Sequence, residues 1–271
     1  MDAQITFIGG GNMASAIIQG LLARSQPGEQ IAVVEPLAEA RARLQATFGV
    51  QVHAQPGSWM QRCDTVVWAV KPQTFQQAAE QCRAFVGAAL HLSVAAGIPS
   101  ASIARWLGCE RVVRAMPNTP ALIGKGITAL FASPCITQAE RSCVQQIVNP
   151  TGEWLWVERE DLLDAVTAIS GSGPAYVYYF MEAMTAAGAA MGLTPAQAYQ
   201  LTLSTFVGAA ALAQASPDSP EVLRQRVTSK GGTTHAAITS METSGLKAAF
   251  ECALHAARDR AQAMGAEFGS V

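Results

Sequence analysis

Two glycine-rich segments in the second half of the chain combine hydroxyl side chains with residues that favour turns. Residues 170–174 read Ser-Gly-Ser-Gly-Pro, and residues 228–234 read Thr-Ser-Lys-Gly-Gly-Thr-Thr. A helical pattern follows each segment, so we expect hydroxyls and unpaired backbone N–H groups at two helix N-termini. Ordinary helix capping explains one such segment, whereas two of them indicate binding of an anionic group such as a carboxylate.

A third glycine-rich segment lies near the N-terminus, between a short apolar run and a helical pattern. Residues 9–14 read Gly-Gly-Gly-Asn-Met-Ala, which is a Gly-x-Gly-x-x-Ala arrangement. Gly9 permits a tight turn, Gly11 lets the backbone approach a pyrophosphate, and Ala14 allows close helix–strand packing. Glycine-rich turns are common, but at the first strand–helix junction of an α/β chain this spacing predicts a dinucleotide site.

The residue at the end of the second predicted strand bears on the choice of dinucleotide. Glu35 stands there, and an acid in this position accepts a hydrogen bond from the adenosine ribose 2′-OH of NAD. Arg41 and Arg43 follow on a helical pattern, where they either bind the 2′-phosphate of NADP or face solvent. The residues therefore leave NAD and NADP both open.

Three further turns follow predicted strands. Residues 69–73 read Ala-Val-Lys-Pro-Gln, residues 95–99 read Ala-Ala-Gly-Ile-Pro, and residues 116–120 read Met-Pro-Asn-Thr-Pro. Ligands bind beyond the carboxyl ends of the strands in such sheets, so we expect these turns to line the nicotinamide side of the site. Lys71 is expected to contact the cofactor, and Asn118 is expected near the same crevice.

Composition excludes several classes of protein. Hydrophobic residues make up 50% of the chain and charged residues 14%, which is incompatible with a disordered chain. A net charge of −2 provides no electrostatic surface for nucleic acid or anionic membranes. The six cysteines and four histidines show neither metal-ligand spacing nor a Cys-x-x-Cys pair, so reduced thiols and no metal are expected. The first residues lack signal-peptide features, so we expect a cytoplasmic protein without nucleic-acid or membrane partners.

The first half of the chain alternates short apolar runs with helical patterns. This alternation predicts a parallel, doubly wound sheet whose strands are buried on both faces. The predicted strands are residues 4–8, 31–35, 64–69, 90–94 and 111–115, with helices at 37–47 and 73–85 among the connections. Residues 126–132 and 152–158 are candidates to extend the same sheet.

The second half of the chain is predicted to be entirely helical. Thr194 and Ser219 each precede a proline, which is typical of a helix N-cap and first turn. We place the domain boundary at residue 158, giving a dinucleotide-binding domain of residues 1–158 and a helical domain of residues 159–271. The predicted helices are residues 161–169, 174–191, 195–215, 221–227, 234–243 and 246–264.

One of these helices is apolar on nearly every side. Residues 174–191 contain Glu182 as their only charged residue, and that charge within the run argues against a membrane span. Such a helix must be buried on nearly every side, which a small helical domain cannot achieve alone. We therefore predict that it packs inside a subunit interface, the alternative being the central helix of a monomer.

Taken together, these motifs resemble those of the pyrroline-5-carboxylate reductases. The glycine motif at 9–14 and the segments at 69–73, 116–120, 170–176 and 229–234 occur in the family's order. The resemblance implies reduction of the C=N bond of 1-pyrroline-5-carboxylate to L-proline, the last step of proline biosynthesis, with NADPH or NADH. It also implies an N-terminal Rossmann domain and an all-helical C-terminal dimerisation domain, forming homodimers and often decamers.

Site residues follow from the resemblance and from the topology. Thr234 is expected to be catalytic, and Ser172, Gly232 and Thr233 are expected to join it in substrate binding. Two departures from the family pattern affect this assignment: Lys230 stands where many members have proline, and Glu35 stands where a small polar residue or arginine is frequent. The expected cofactor-binding residues are Gly9, Gly10, Gly11, Asn12, Met13, Glu35, Ala69, Val70, Lys71, Pro72 and Asn118.

The chemistry of an imine suits these residue types. Once its nitrogen is protonated, an imine accepts hydride readily, whereas a carbonyl needs a strong acid or a metal to stabilise the alkoxide. A Thr234 hydroxyl bonded to the ring nitrogen would orient the imine, and the enzyme would mainly supply alignment. His235 follows directly and is expected in the first helical turn, facing solvent.

Two alternatives remain open from the residues. One is another Rossmann reductase, acting on a different cyclic imine or on a 3-hydroxyacid; the latter class typically has a catalytic lysine in its helical domain. Only Lys230 and Lys247 lie in that half of the chain. The other alternative is a dinucleotide-binding sensor without catalysis, for which a damaged substrate segment would be expected.

Overall fold

The computed structural model describes residues 5–269, so position 4 of the first predicted strand lies outside the described residues. Within them, the first part of the chain forms one eight-stranded sheet in the order β3-β2-β1-β4-β5-β6-β7-β8. The strands are β1 (Ile5–Ile8), β2 (Ile31–Val34), β3 (Gln51–His53), β4 (Thr65–Trp68), β5 (Leu90–Ser93), β6 (Val112–Met116), β7 (Gly126–Ala132) and β8 (Gly152–Trp156).

Helices cover both faces of this sheet. They are α1 (Asn12–Ala23), α2 (Ala38–Phe48), α3 (Pro72–Val86), α4 (Ser100–Leu107) and α5 (Gln138–Val148). Successive strand residues belong to different apolar clusters, because side chains alternate between the faces of a strand. Phe7 lies in one cluster and Ile8 in the other. The predicted Rossmann-type sheet is confirmed.

One strand pair departs from the predicted parallel arrangement. β6 and β7 are antiparallel, with Val113 opposite Ala132 and Met116 opposite Ala129. Only a short connection with a 3₁₀ turn (Thr119–Ile123) joins them, which is too little chain for the crossover that a parallel pair requires. β8 then pairs in parallel with β7, so the two candidate segments do extend the sheet.

The rest of the chain is helical, as predicted. Helix α6 (Leu162–Val166) is followed by a π-helical turn (Thr167–Gly171). The later helices are α7 (Gly173–Ala190), α8 (Pro195–Gln214), α9 (Pro220–Arg226), α10 (Thr233–Thr243) and α11 (Leu246–Gly269). Thr194 caps α8 with a full capping box, and the Ser219 hydroxyl accepts from the Val222 N–H at the start of α9.

The contacts divide the described chain into two compact units. The first comprises the described residues of Met1–Ser172 and Ala257–Val271, and the second is Gly173–Ala256. The division by contacts falls after residue 172, because α6 and the π-helical turn pack against β7 and β8 beside an apolar cavity of about 380 Å³. The domain boundary at residue 158 stays a prediction. No helix among residues 5–269 is long and apolar enough to cross a membrane.

A histidine is buried at the centre of the sheet. His91 on β5 is fully buried, and its Nδ1 accepts a hydrogen bond of 3.2 Å from Nε1 of Trp68. Burial lowers the pKa of His91 to about 4, and the positive charge of Arg111 contributes in the same direction. The imidazole is therefore neutral in the folded protein at neutral pH.

We expect this histidine to destabilise the fold as pH falls. Above about 6.5 both states hold His91 neutral, whereas between about 6.5 and 4 only the unfolded chain takes up the proton. The full effect, reached below about pH 4, is about 3 kcal/mol. Urea unfolding from pH 8 to pH 4 of wild type and His91→Asn, which retains an acceptor for Trp68, measures it. Between pH 8 and pH 4 the free energy of unfolding of the variant should fall by about 3 kcal/mol less than that of wild type. The prediction would be contradicted if the two free energies fell in parallel with pH.

Candidate active site

The turn after β1 is shaped for close backbone approach. Gly9 has φ +93°, and a Cβ there would lie 2.7 Å from the carbonyl oxygen of Ala69 on the neighbouring strand end. A Cβ on Gly10 would overlap the Leu44 side chain, whereas Gly11 has open space around it. Gly9 is therefore required by its backbone conformation and by packing, a residue larger than glycine at position 10 would have to displace the Leu44 side chain, and Gly11 leaves room for a ligand.

Helix α1 begins directly after this turn without a capping side chain. Gly11 is its N-cap, and within the described residues the backbone N–H groups of Asn12 and Met13 have no hydrogen-bond partner. Free N–H groups at a helix N-terminus attract anions through the helix dipole. The predicted phosphate-binding role of these two residues thus rests on their backbone.

Glu35 connects this turn to the start of α2. Its Oε2 accepts a hydrogen bond of 3.0 Å from the Gly10 N–H, and its Oε1 accepts one of 3.0 Å from the Leu37 N–H. Arg41 donates through Nη1 to the carbonyl oxygens of Glu35 and Pro36, at 2.8 and 2.6 Å. The carboxylate therefore supports the glycine turn, and the guanidinium of Arg41 is engaged with the backbone of its own turn.

A cavity of about 490 Å³ collects most of the predicted cofactor residues at the carboxyl edge of the sheet. Gly9, Gly10, Gly11, Glu35, Ala69, Val70 and Lys71 line it, and Pro72 begins α3 beside it. Sequence reasoning missed Thr74, Gln77 and Gln81, whose helical spacing after Pro72 was the available signal.

A larger cavity of about 1110 Å³ lies among Gln30, Arg62, Gly87 and Arg111, but parallel sheets bind their ligands at the opposite edge.

Asn118 holds the turn between β6 and β7. Its Oδ1 accepts a hydrogen bond of 3.0 Å from the Ile127 N–H, and Asn118 does not line the cavity of about 490 Å³. The side-chain oxygen thus has a structural partner, and the contribution of Asn118 to cofactor binding stays a prediction.

The segment at 170–174 is not the open loop that its glycines suggest. The π-helical turn ends at Gly171, and the Ser172 N–H donates to the Thr167 carbonyl at 2.8 Å. Pro174 has no N–H, and its ring disfavours the regular turn before it, which accounts for the wider helical turn. The expected free N–H of Ser172 is therefore engaged, whereas its half-buried hydroxyl has no partner among the described residues.

The segment at 228–234 has the expected form. Gly231 has φ +75°, a conformation that favours glycine, and a Cβ on Gly232 would lie 2.7 Å from Oγ of Ser229. Gly232 is the N-cap of α10, and the N–H groups of Thr233 and Thr234 have no partner in the described chain. An anion-binding helix terminus with two adjacent hydroxyls results.

The charged and titratable residues around this terminus face solvent. His235 is exposed in the first turn of α10, as predicted, and Lys230 is exposed in the turn that precedes it. An ion pair between Arg224 on α9 and Glu242 on α10, at 3.5 Å, joins the helices on either side of the segment.

The apolar helix α7 is poorly covered within one chain. It packs along α8, where Gly188 meets Ala198, and Phe250 of α11 makes edge-on contacts with Tyr176 and Phe180. Gly188 is nevertheless its only buried residue. Tyr179 is 70% exposed and Val207 on α8 is 61% exposed. Apolar surface of this extent is typical of a subunit interface.

A Rossmann-type sheet with a glycine turn at its carboxyl edge, followed by a helical unit with an anion-binding terminus, defines a dinucleotide-dependent oxidoreductase. Two family models match the chain. Residues 4–97 match the family described as NADP oxidoreductase, coenzyme F420-dependent, and residues 160–264 match the dimerisation domain of pyrroline-5-carboxylate reductase.

Full-length relatives identify the family. The pyrroline-5-carboxylate reductase of Pseudomonas aeruginosa is 43% identical, covering 98% of both chains. The structure of the Coxiella burnetii pyrroline-5-carboxylate reductase superposes with a TM-score of 0.90 at 37% identity, covering 97% of this chain and 99% of that one. The structure of the Plasmodium falciparum enzyme, solved with NADP bound, superposes with a TM-score of 0.88 at 27% identity, covering 97% of this chain and 98% of that one. The chain belongs to the pyrroline-5-carboxylate reductase family.

Proposed function

We propose that this protein reduces the C=N bond of 1-pyrroline-5-carboxylate to form L-proline, with NADPH as the reductant. The observation that carries the proposal is the N-terminus of α10, where free backbone N–H groups adjoin the Thr233 and Thr234 hydroxyls. A carboxylate is the substrate group that such a terminus binds. The cavity of about 490 Å³ at the sheet edge would hold the dinucleotide that serves as the reductant.

The residues of the first unit fit a dinucleotide. The open space at Gly11 and the free N–H groups of Asn12 and Met13 suit a pyrophosphate, and Lys71 adds a positive charge to the cavity wall. NADP in the Plasmodium falciparum relative supports NADPH here, and Glu35 leaves NADH possible. When bound, the reduced nicotinamide supplies the hydride.

The second group of residues binds and orients the substrate. Gly232, Thr233 and Thr234 would hold the carboxylate and the ring, and the hydroxyl of Ser172 would bind the same substrate. The ring nitrogen of the imine carries a proton before reduction, and the Thr234 hydroxyl accepts a hydrogen bond from it. The carbon gains hydride while the C=N π electrons become the nitrogen lone pair of the amine. Neither step needs a strong acid from the protein, so alignment carries the catalysis.

The assembly follows from the dimerisation domain. We propose a homodimer in which α7 and α8 of two chains cover each other's apolar surfaces, with further assembly to a decamer possible in this family. A cytoplasmic location is supported by six cysteines that are all free.

The test of the function is oxidation of NADPH and of NADH, followed by absorbance, with racemic 1-pyrroline-5-carboxylate. We expect rapid oxidation that depends on substrate, with proline as the product. A folded protein that binds nucleotide yet oxidises neither NADPH nor NADH would contradict the proposal.

Thr234→Ala should lower kcat/KM for the imine about ten- to a hundredfold, because a hydrogen bond that orients the imine contributes about 1.4–2.8 kcal/mol. Thr234→Ser keeps the hydroxyl and should retain most activity. Thr239→Ala, on the exposed surface of the same helix, is the matched control. Wild-type turnover in Thr234→Ala would remove this residue from the mechanism.

Glu35→Gln should shift nucleotide preference towards NADPH about fivefold, since removing a negative charge near the 2′-phosphate is worth about 1 kcal/mol. The dissociation constants of NADPH and NADH, measured by fluorescence titration, provide the ratio. Glu39→Gln, in the first turn of α2, changes the same charge away from the cavity and serves as the control. An unchanged ratio in Glu35→Gln would show that the carboxylate does not face the ribose.

A further inference from the structure

The connection between β5 and α4, residues 94–99, lies at the cofactor edge of the sheet. The Val94 N–H donates to the Trp68 carbonyl at 3.0 Å, which places this β5–α4 loop beside the end of β4. Ala69, the residue that follows β4, is the one that Gly9 packs against. The loop therefore continues the row of strand ends that carries the glycine turn and Lys71.

Two glycines bring the last part of α11 against this loop. A Cβ on Gly97 would lie 3.1 Å from Cβ of Met264, and a Cβ on Gly265 would lie 3.0 Å from the Gly97 carbonyl oxygen. Gly97 also has φ +78°. The contact is therefore backbone against backbone, and a larger residue on either side would displace the loop.

The final residues of α11 are fastened to the helix that follows the loop. Ser102 Oγ donates to the Gly269 carbonyl at 2.7 Å, and Arg105 Nη2 donates to the same oxygen at 3.2 Å. A Cβ on Gly269 would lie 2.6 Å from Cδ of Pro99. Phe268 packs against the apolar cluster that contains Ile98.

A second segment, 60 residues away in sequence, also contacts the end of the loop. Glu160 accepts hydrogen bonds of 2.6 Å from both the N–H and the hydroxyl of Ser100, at the start of α4. The same carboxylate pairs with Arg114 of β6 at 2.8 Å. The loop has no hydrogen-bonded regular structure of its own, so its conformation depends on these contacts from outside.

We infer that the C-terminal end of α11, Met264 to Gly269, is a positioning element that holds the β5–α4 loop in the conformation required for nicotinamide binding. The inference rests on the proposed function for the identity of the nucleotide. Helix α11 begins in the second compact unit and ends in the first.

Phe268→Ala tests this inference, with Phe85→Ala as its matched control. Both phenylalanines are half-buried against the same apolar cluster, but Phe85 lies on α3 beside the cavity of about 1110 Å³, at the opposite edge. We expect Phe268→Ala to raise the NADPH dissociation constant and the KM for NADPH about tenfold, with kcat and the KM for the imine near wild type. Phe85→Ala should lower the melting temperature comparably and leave both nucleotide constants unchanged.

A milder pair of variants covers the case in which Phe268→Ala does not fold. Ser102→Ala removes the 2.7 Å bond to Gly269, and Ser142→Ala removes a solvent-exposed serine–carbonyl bond on α5. Ser102→Ala should weaken NADPH binding two- to threefold, and Ser142→Ala should not change it.

Wild-type NADPH binding in Phe268→Ala or in Ser102→Ala, or equal weakening in a variant and its control, would overturn the inference. NADPH binding is measured without turnover. A wild-type protein that binds NADPH but reduces no imine would therefore contradict the proposed function and leave the inference about the β5–α4 loop standing.

Discussion

The parallel pairing of β1 with β2 and β4 is the constraint on which the remainder of the structure depends. It aligns Ile8 with Val34 and with Trp68, so that Gly9, Glu35 and Ala69 leave the sheet side by side. Backbone atoms meet there at contact distance, which is why the turn requires glycine. The same alignment lets the Glu35 carboxylate reach the Gly10 N–H. A single register thus produces a ligand cavity, its free N–H groups and the acid beside them.

A different constraint governs the helical half, namely more apolar surface than one chain can bury. Helices α7 and α8 pack on each other through small residues such as Gly188 and Ala198, which leaves their larger side chains outside the contact. Burying such side chains is worth about 25 cal/mol per Å² of apolar area, so a second chain is the natural cover. Residues 160–264, which match the dimerisation domain of the family, include both of these helices, in agreement with burial of their apolar side chains against a second chain. The apolar surface for assembly thus lies on α7 and α8, whereas the predicted substrate-binding terminus belongs to α10.

Much of the fold was predictable because it follows from local patterns. Continuous apolar runs such as residues 65–68 predict buried parallel strands, and Thr194 and Ser219 predict helix starts that the structure confirms. Three-residue β3 was missed, since so short a strand has no measurable periodicity, and α4 and α5 were not assigned. The antiparallel β6–β7 pair was also missed, because strand direction depends on the length of the connection and not on the strands themselves.

The sequence by itself determined the two segments that are predicted to bind ligands, the glycine turn at the first strand end and Gly-Gly-Thr-Thr at the start of α10, because steric freedom and free N–H groups are local properties. Only the tertiary structure decided how those segments are held. It gave Glu35 two backbone partners, closed the 170–174 segment into a π-helical turn, and brought Gly265 and Gly269 against the β5–α4 loop. These contacts join residues far apart along the chain, and the packing of whole helices on a sheet decides which of them meet.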